Sequence, residues 1–189
     1  FINGLNQGVD FVGGRSYVVR FEQPVSQEKI QSNLIKVLGN AEVKTFGSDN
    51  QLKITTNYKV DIDSSDIDDE INNILYADLI EFMPENIAYE DFVVNGDENK
   101  QAGIMSSIKV GPTIADDIKK NSFYAVFGSL IIVFLYILLR FKNWQFSLGA
   151  VSAVFHDVLV VLGIFSLTYS FMPFNMEINQ AFIAAVLTV

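Results

Sequence analysis

Residues 146–171 read FSLGAVSAVFHDVLVVLGIFSLTYSF, a run long enough to cross a bilayer hydrocarbon core of about 30 Å at about 1.5 Å per residue. His156 and Asp157 stand in its middle, the only histidine or charged side chains in the run. An aspartate at mid-membrane costs roughly 3 kcal/mol on insertion scales unless a partner or a water-filled cavity receives it. Gly149, Ser152, His156 and Gly163 follow one another at i+3, i+4 and i+7, along one helical face, with Ala150, Ala153 and Asp157 on an adjoining stripe. A helix of this kind is expected to pack its small, polar face on other helices and turn its Leu/Val/Phe face to lipid. Two readings of the pair are open. His156 and Asp157 are interhelical glue that can also satisfy each other, or they line a path for protons or substrate.

Outward from this run, the chain divides near residue 121. The 189 residues carry a net charge of −9, and all but two of the acidic and all but two of the basic residues precede that point. After it, Arg140 and Lys142 balance Asp157 and Glu177. A charged, soluble-looking part therefore precedes a membrane part. The acidic balance offers no basic patch to track phosphates, which argues against nucleic acid as a partner. There is no cysteine and a single histidine, so thiol catalysis, disulfides and Cys- or His-rich metal sites are excluded, and no metal or cofactor is expected. The chain opens at Phe1 without a start methionine and stops at Val189 in mid-pattern, which predicts a fragment of a larger polytopic protein.

Residues 1–115 alternate strand and helix signals. Gly13-Gly14 precedes a β-branched and aromatic run at 16–21 (SYVVRF) and predicts a turn or bulge. Ser26 is the predicted cap of a helix whose stripe is Ile30, Leu34, Ile35, Val37 and Leu38, ended by Gly39-Asn40. Strands are predicted at 42–46 and 51–58, joined by Gly47-Ser48-Asp49-Asn50. Ser64 or Ser65 caps the next helix, which buries Ile67, Ile71, Ile74, Leu75 and Leu79. Its early acids Asp66, Asp68, Asp69 and Glu70 suit the positive end of the helix dipole. They lack the glycine and terminal glutamate of a calcium-binding EF-hand loop. Residues 84–103 read as a loop or inserted hairpin with an apolar piece at 92–94, and a last strand runs 104–110. Strand, helix, strand, strand, helix, strand is the order of a split βαβ, or ferredoxin-like, α+β domain.

Gly111-Pro112 begins a helix with proline at its first position. Spans are predicted at about 120–140 and 146–168, with a third beginning at 181–189, so that residues 116–189 form an all-α transmembrane region. The 140–145 connection carries Arg140 and Lys142 and no acid, which places it in the cytoplasm and residues 1–115 outside.

At this point the residues resemble a known family. Gly8-Val9-Asp10-Phe11-Val12-Gly13-Gly14 resembles the Gly-Ile-Asp-Phe-x-Gly-Gly signature of the SecD/SecF family of bacterial protein-export subunits. Val110-Gly111-Pro112, the run from Leu148-Gly149-Ala150 through His156-Asp157-Val158 to Gly163-Ile164-Phe165-Ser166-Leu167, and FIAAVLTV at 182–189 resemble later segments of that family in the same order. The Asp-Phe form of the motif and the His-Asp pair resemble the SecF half, whether separate or fused in a SecDF chain. The resemblance implies a membrane complex of the resistance-nodulation-division type in the bacterial cytoplasmic membrane. SecD, the SecYEG channel and unfolded preprotein would be its partners, and protons moving down their gradient would help complete export on the outer face.

The same resemblance implies that a main proton-carrying aspartate lies beyond Val189, leaving His156 and Asp157 in supporting roles. A carboxylate held in low dielectric binds and releases protons nearer neutrality. Each charge moved through 100 mV supplies about 2.3 kcal/mol, enough to bias a hinge. Gly13 and Gly14 are expected to shape the base of the outer domain rather than to bind a ligand. Three further functions compete: an exporter of lipids or drugs from the same superfamily, a membrane-anchored binding module without proton coupling, and an intramembrane hydrolase. The last is disfavoured because neighbours about 100° apart on a helix do not converge as a catalytic pair should. A transport protein rather than an enzyme is expected.

Overall fold

A computed structural model describes residues 5–62, 64–85, 87–94 and 100–188. Its elements run α1 (Val9–Val12), β1 (Gly14–Arg20), α2 (Gln27–Leu38), β2 (Glu42–Phe46), β3 (Ser48–Thr56), α3 (Ser65–Leu79), a 3-10 turn (Ile80–Phe82), α4 (Tyr89–Val93), β4 (Gly103–Val110), α5 (Pro112–Phe141), α6 (Trp144–Thr168) and α7 (Gln180–Leu187). The chain forms two compact units. One comprises Val12–Ile114 with Pro173–Asn175; the other comprises the residues up to Phe11, Ala115–Met172 and those from Met176 onward.

The first unit is built on a four-stranded antiparallel sheet of order β2-β3-β1-β4. Period-two alternation places Tyr17 and Val19 on one side of β1, continued by the buried Phe21 just past its end, and the register sets Tyr17 against Ile54 and Val19 against Leu52. Ile30, Leu34 and Leu38 of α2 and Ile71, Leu75 and Leu79 of α3 join them in one core. Ser26 caps α2, accepting from Lys29 N–H, and Ser64 caps α3, accepting from Asp66 N–H, as the sequence pattern predicts. Gly39 ends α2 at φ 76°.

Three sequence expectations need correction. In α2, Ile35 and Val37 are exposed; 30, 34 and 38 already fill the stripe that faces the sheet. The β2–β3 turn is tighter than 47–50: Gly47, at φ 76°, turns alone, and β3 begins at Ser48. The polar Ser48-Asp49 start of β3 is exposed, and that polarity hid a strand. It stops at Thr56 because Lys59, at φ 45°, lies in a turn that takes Tyr58 out of the sheet.

Within 84–103, the described residues hold a one-turn helix, α4, where a loop or hairpin is expected; positions 86 and 95–99 lie outside the described residues. Phe92 is completely buried and packs edge-on to the Tyr76 ring at 5.4 Å between centroids. Lys100 Nζ donates to Phe92 O at 3.0 Å and Val94 O at 2.8 Å, a cation at the negative end of the short helix. Gly103 follows at φ 112°, and a Cβ there would stand 2.9 Å from Phe92 O and 2.7 Å from Lys100 Cε. Gly103→Ala is expected to destabilise this unit by about 1–3 kcal/mol, read as faster hydrogen exchange across β4 in the full-length protein.

Helix α5 begins at Pro112 as expected and spans 30 residues. That is about 45 Å at the usual rise, longer than a hydrocarbon core, so its polar first turns extend beyond the 122–139 apolar run. α5 and α6 are both long and apolar enough to cross a membrane. Lys142, at φ 57°, breaks the first from the second, and Arg140 falls in the last turn of α5. α7 starts at Gln180, with Asn179 at its N-cap.

Candidate functional site

The helical periodicity of α6 determines what its ionisable pair can meet. Ser147, Val151, Val154, Val158, Leu162 and Phe165, spaced i+4, i+3, i+4, i+4 and i+3, are buried or half-buried and form one side of the helix. Phe165 lies against Phe182 of α7, with ring centroids 5.0 Å apart. His156 is nine residues from both Ser147 and Phe165, about two and a half turns, and so lies on the opposite side. Gly149, Ser152 and Ala153 are exposed and Gly163 is half-buried; a Cβ at either glycine would meet nothing within 4 Å. Within this chain, α6 therefore packs through its apolar side. The small, polar face is exposed within this chain, and Phe165 on the other side meets Phe182 of α7.

His156 Nδ1 lies 3.2 Å from Asp157 Oδ1, and the two side chains are 74% and 68% exposed. Neighbours about 100° apart on a helix do reach each other here, through side-chain rotation rather than helical position. The two therefore form a hydrogen-bonded pair on the exposed side of α6.

The glycine motif serves a second junction. Gly8 N–H donates to Ile178 O at 2.9 Å and Ile178 N–H donates to Asn6 O at 2.8 Å, a short parallel bridge. A Cβ on Gly8 would lie 3.1 Å from Asn179 Cβ and 3.2 Å from Glu177 Oε2, so a side chain there would press on the bridge. Asp10 Oδ2 accepts from Gln180 N–H at 2.9 Å and Asn179 Oδ1 accepts from Phe182 N–H at 3.0 Å. Two polar side chains thus cap the first turn of α7, one carrying the negative charge that a helix N-terminus favours. Phe11 is buried beside them in sequence. Sequence reasoning missed this use of Asp10. Asn179 directly before an apolar run was the available signal for a helix start.

Gly13 and Gly14 adopt φ 77° and 140°, which L side chains rarely adopt. The register pairs Gly14 with Val110, and Gly13 lies 3.4 Å, measured from a would-be Cβ, from Pro112 N and Cα. The Gly13-Gly14 and Gly111-Pro112 segments therefore meet at one end of the sheet. Gly111 itself has open space around a would-be Cβ.

On the sheet unit, the acidic start of α3 does more than match a dipole. Arg15 Nε donates to Asp68 Oδ1 at 2.7 Å, and Lys109 Nζ reaches Asp68 Oδ2 at 3.1 Å. Lys59 Nζ lies 2.7 Å from Glu70 Oε2, and Tyr58 Oη donates to Glu70 Oε1 at 2.9 Å. Burial pushes the Tyr17 hydroxyl up to about 12. Burial also pushes the Asp68 carboxyl up, but hydrogen bonds from Arg15 and Lys109 outweigh it and hold the group below its ordinary value of 3.8. A carboxylate depressed on folding stabilises the fold above its unfolded value and loses that contribution as pH falls through the folded one. The sheet unit is therefore expected to keep this contribution at pH 5 and above and to lose it below about pH 4. Hydrogen exchange of β1 amides measured against pH checks this, with Asp68→Asn removing the step.

Residues 92–189 match the family described as protein export membrane protein SecD/SecF, C-terminal, and residues 1–25 match the SecD/SecF GG motif. The chain is 36% identical over 187 residues to the protein translocase subunit SecF of Rhodothermus marinus, covering 98% of this chain and 54% of that protein. It is 31% identical over 185 residues to the subunit of the same name from Thermodesulfovibrio yellowstonii, covering 97% and 52%. The crystal structure of SecDF, a translocon-associated membrane protein from Thermus, matches with a TM-score of 0.70 at 26% identity, over all of this chain and 22% of that one. The chain spans about half the length of these curated relatives.

Proposed function

The chain belongs to the SecD/SecF family of protein-export membrane proteins, and from that premise we propose that it is part of an accessory subunit of the bacterial Sec translocase that uses the proton gradient to help complete preprotein export. The observation that carries the reading is the similarity to SecF subunits along nearly the whole chain. The ionisable pair adds to it: His156 and Asp157 lie at the middle of a 25-residue transmembrane helix on a face the chain leaves open. Carrying a charge at that depth is costly, and such residues mark ion and proton pathways.

The partners are a SecD subunit or SecD half, the SecYEG channel and an unfolded preprotein, in the bacterial cytoplasmic membrane. Arg140 and Lys142 at the α5–α6 connection support a cytoplasmic position for that turn and an extracytoplasmic one for the sheet unit. The ferredoxin-like reading of that unit rests on its element order and on the strand order β2-β3-β1-β4.

A second reading, a membrane-anchored binding and assembly module, is favoured by one observation. The 3.2 Å contact between His156 and Asp157 is also what structural glue would make. The two are separated in a strain depending on the full-length protein, by following release of an exported protein with and without an uncoupler. If the proton reading holds, Asp157→Asn and His156→Ala leave co-purification with SecD intact and remove the uncoupler-sensitive part of export. Normal export from an assembled Asp157→Asn complex overturns it in favour of glue.

A further inference from the structure

We propose that the turn between α5 and α6 is a binding site for an anionic phospholipid, its phosphate held by Arg140 and Lys142 and the upper part of its acyl chains laid on Phe141, Trp144 and Phe146. Arg140 and Lys142 are the only basic residues after position 121, and no acid occurs between Asp117 and Asp157. Neither cation has an acidic partner among the described residues. In a chain of net charge −9, this local positive charge is unmet by the protein itself, and a phosphodiester complements it. The backbone fixes where the second cation stands. Lys142 N–H donates to Leu138 O at 2.8 Å and its φ is 57°, the left-handed helix end where glycine or asparagine is usual. A lysine has no local advantage there; what it supplies is charge.

Arg140 lies two residues earlier, in the last turn of α5, with its guanidinium 5.9 Å from the centre of the Phe141 ring. Phe141 and Phe146 bridge the two helix ends, their centroids 6.0 Å apart, and these rings and that of Trp144 are each more than half exposed. Both helix ends belong to one compact unit. The surroundings choose lipid over an acidic protein segment. The turn joins two helices long and apolar enough to cross a membrane, so it lies at headgroup depth whichever side it faces. Tryptophan is enriched at that depth, and a basic cluster between two spans there meets lipid phosphates. An acidic segment would satisfy the two charges and leave the three rings exposed. The inference requires only that α5 and α6 span a membrane, and does not rest on the proposed role in export.

The test uses the full-length protein with Trp144 as its single tryptophan, reconstituted in phosphatidylcholine bilayers. Quenching of Trp144 by phosphatidylglycerol brominated near the glycerol end of its chains, against phosphatidylcholine brominated at the same place, gives the relative affinity at the turn. A preference for phosphatidylglycerol of about fivefold or more is expected, the order for one or two cations meeting an anionic headgroup. Lys142→Asn is expected to bring the ratio close to one while keeping the turn, since asparagine suits that backbone, and Arg140→Gln to lower it in the same direction. Lys119→Gln with Lys120→Gln, which removes two cations from the other end of α5, is expected to leave it unchanged. Lys142→Asn with Gln145→Lys returns the net charge three residues on and is expected not to return the preference. No preference in the unsubstituted protein, or one that survives Lys142→Asn, overturns the site. A preference returned by Gln145→Lys overturns it in favour of a general attraction of anionic lipid to any interfacial charge. Equal quenching by the two lipids, with a co-purifying protein lost on Lys142→Asn, overturns it in favour of an acidic partner.

Discussion

Asp68→Ala is expected to destabilise the sheet unit by about 3–5 kcal/mol, and Arg15→Met to cost no more than about 1 kcal/mol. The asymmetry follows from where each partner lies. Arg15 begins the inward-facing series that Tyr17 and Val19 continue on β1, and is 1% exposed. Asp68 stands one turn before Ile71, Leu75 and Leu79 on α3 and is 39% exposed. The pair therefore closes the end of the core, with the cation inside and the carboxylate at the rim. Arg15 also donates from Nη1 to Tyr58 O at 3.0 Å, and its Nη2 has no hydrogen-bond partner among the described residues. A guanidinium cannot shed its proton to escape burial, so loss of Asp68 leaves a buried charge with backbone carbonyls alone. Removing Arg15 instead leaves Asp68 with Lys109 at 3.1 Å and with solvent, while the unbranched methionine fills most of the vacated space. Hydrogen exchange of the Val19 and Leu52 amides in the full-length protein reads both costs. Equal losses in the two variants would mean that the cation is not the buried partner.

The capped helices α2 and α3 and the apolar alternation of β1 are legible in residue order because each is decided locally, by a cap, a glycine or a period. The membrane spans are legible for the same reason: eighteen or more apolar residues admit few other structures. What the chain hides is decided by distant partners. α4 is a single turn whose stability comes from Phe92 in the core and Lys100 at its end, neither of which leaves a period to read. The Arg15–Asp68 pair spans 53 positions, and a basic residue opening a strand looks like a solvated one. Asp10 was visible as part of a motif, but its work at the start of α7 spans 170 positions. Which neighbour takes the small, polar face of α6 is not legible either, because periodicity shows that a helix has two sides and not what meets each.

Asp157→Leu is expected to improve membrane insertion of α6 by about 3–4 kcal/mol, the difference between an aspartate and a leucine at the centre of a span, and at the same time to abolish uncoupler-sensitive export. The two effects have opposite signs, and that opposition is the informative part. Asp157 lies midway along α6, where the insertion cost is greatest, and its carboxylate is 68% exposed within this chain. His156, at 3.2 Å, offers one hydrogen bond toward an oxygen pair that can accept about four. Neither the packed apolar side of α6 nor α7 takes up the rest. A residue carried at such a cost must be met in the assembled protein by another group or by water, and the exposed face with Gly149 and Ser152 has room for either. Insertion is measured by glycosylation mapping of α6 as a test segment, and export in the full-length protein. Better insertion with unchanged export would remove the ground for a functional pair. Better insertion with failed export but intact assembly would place the carboxylate on the path of the proton, since packing alone would be served by leucine.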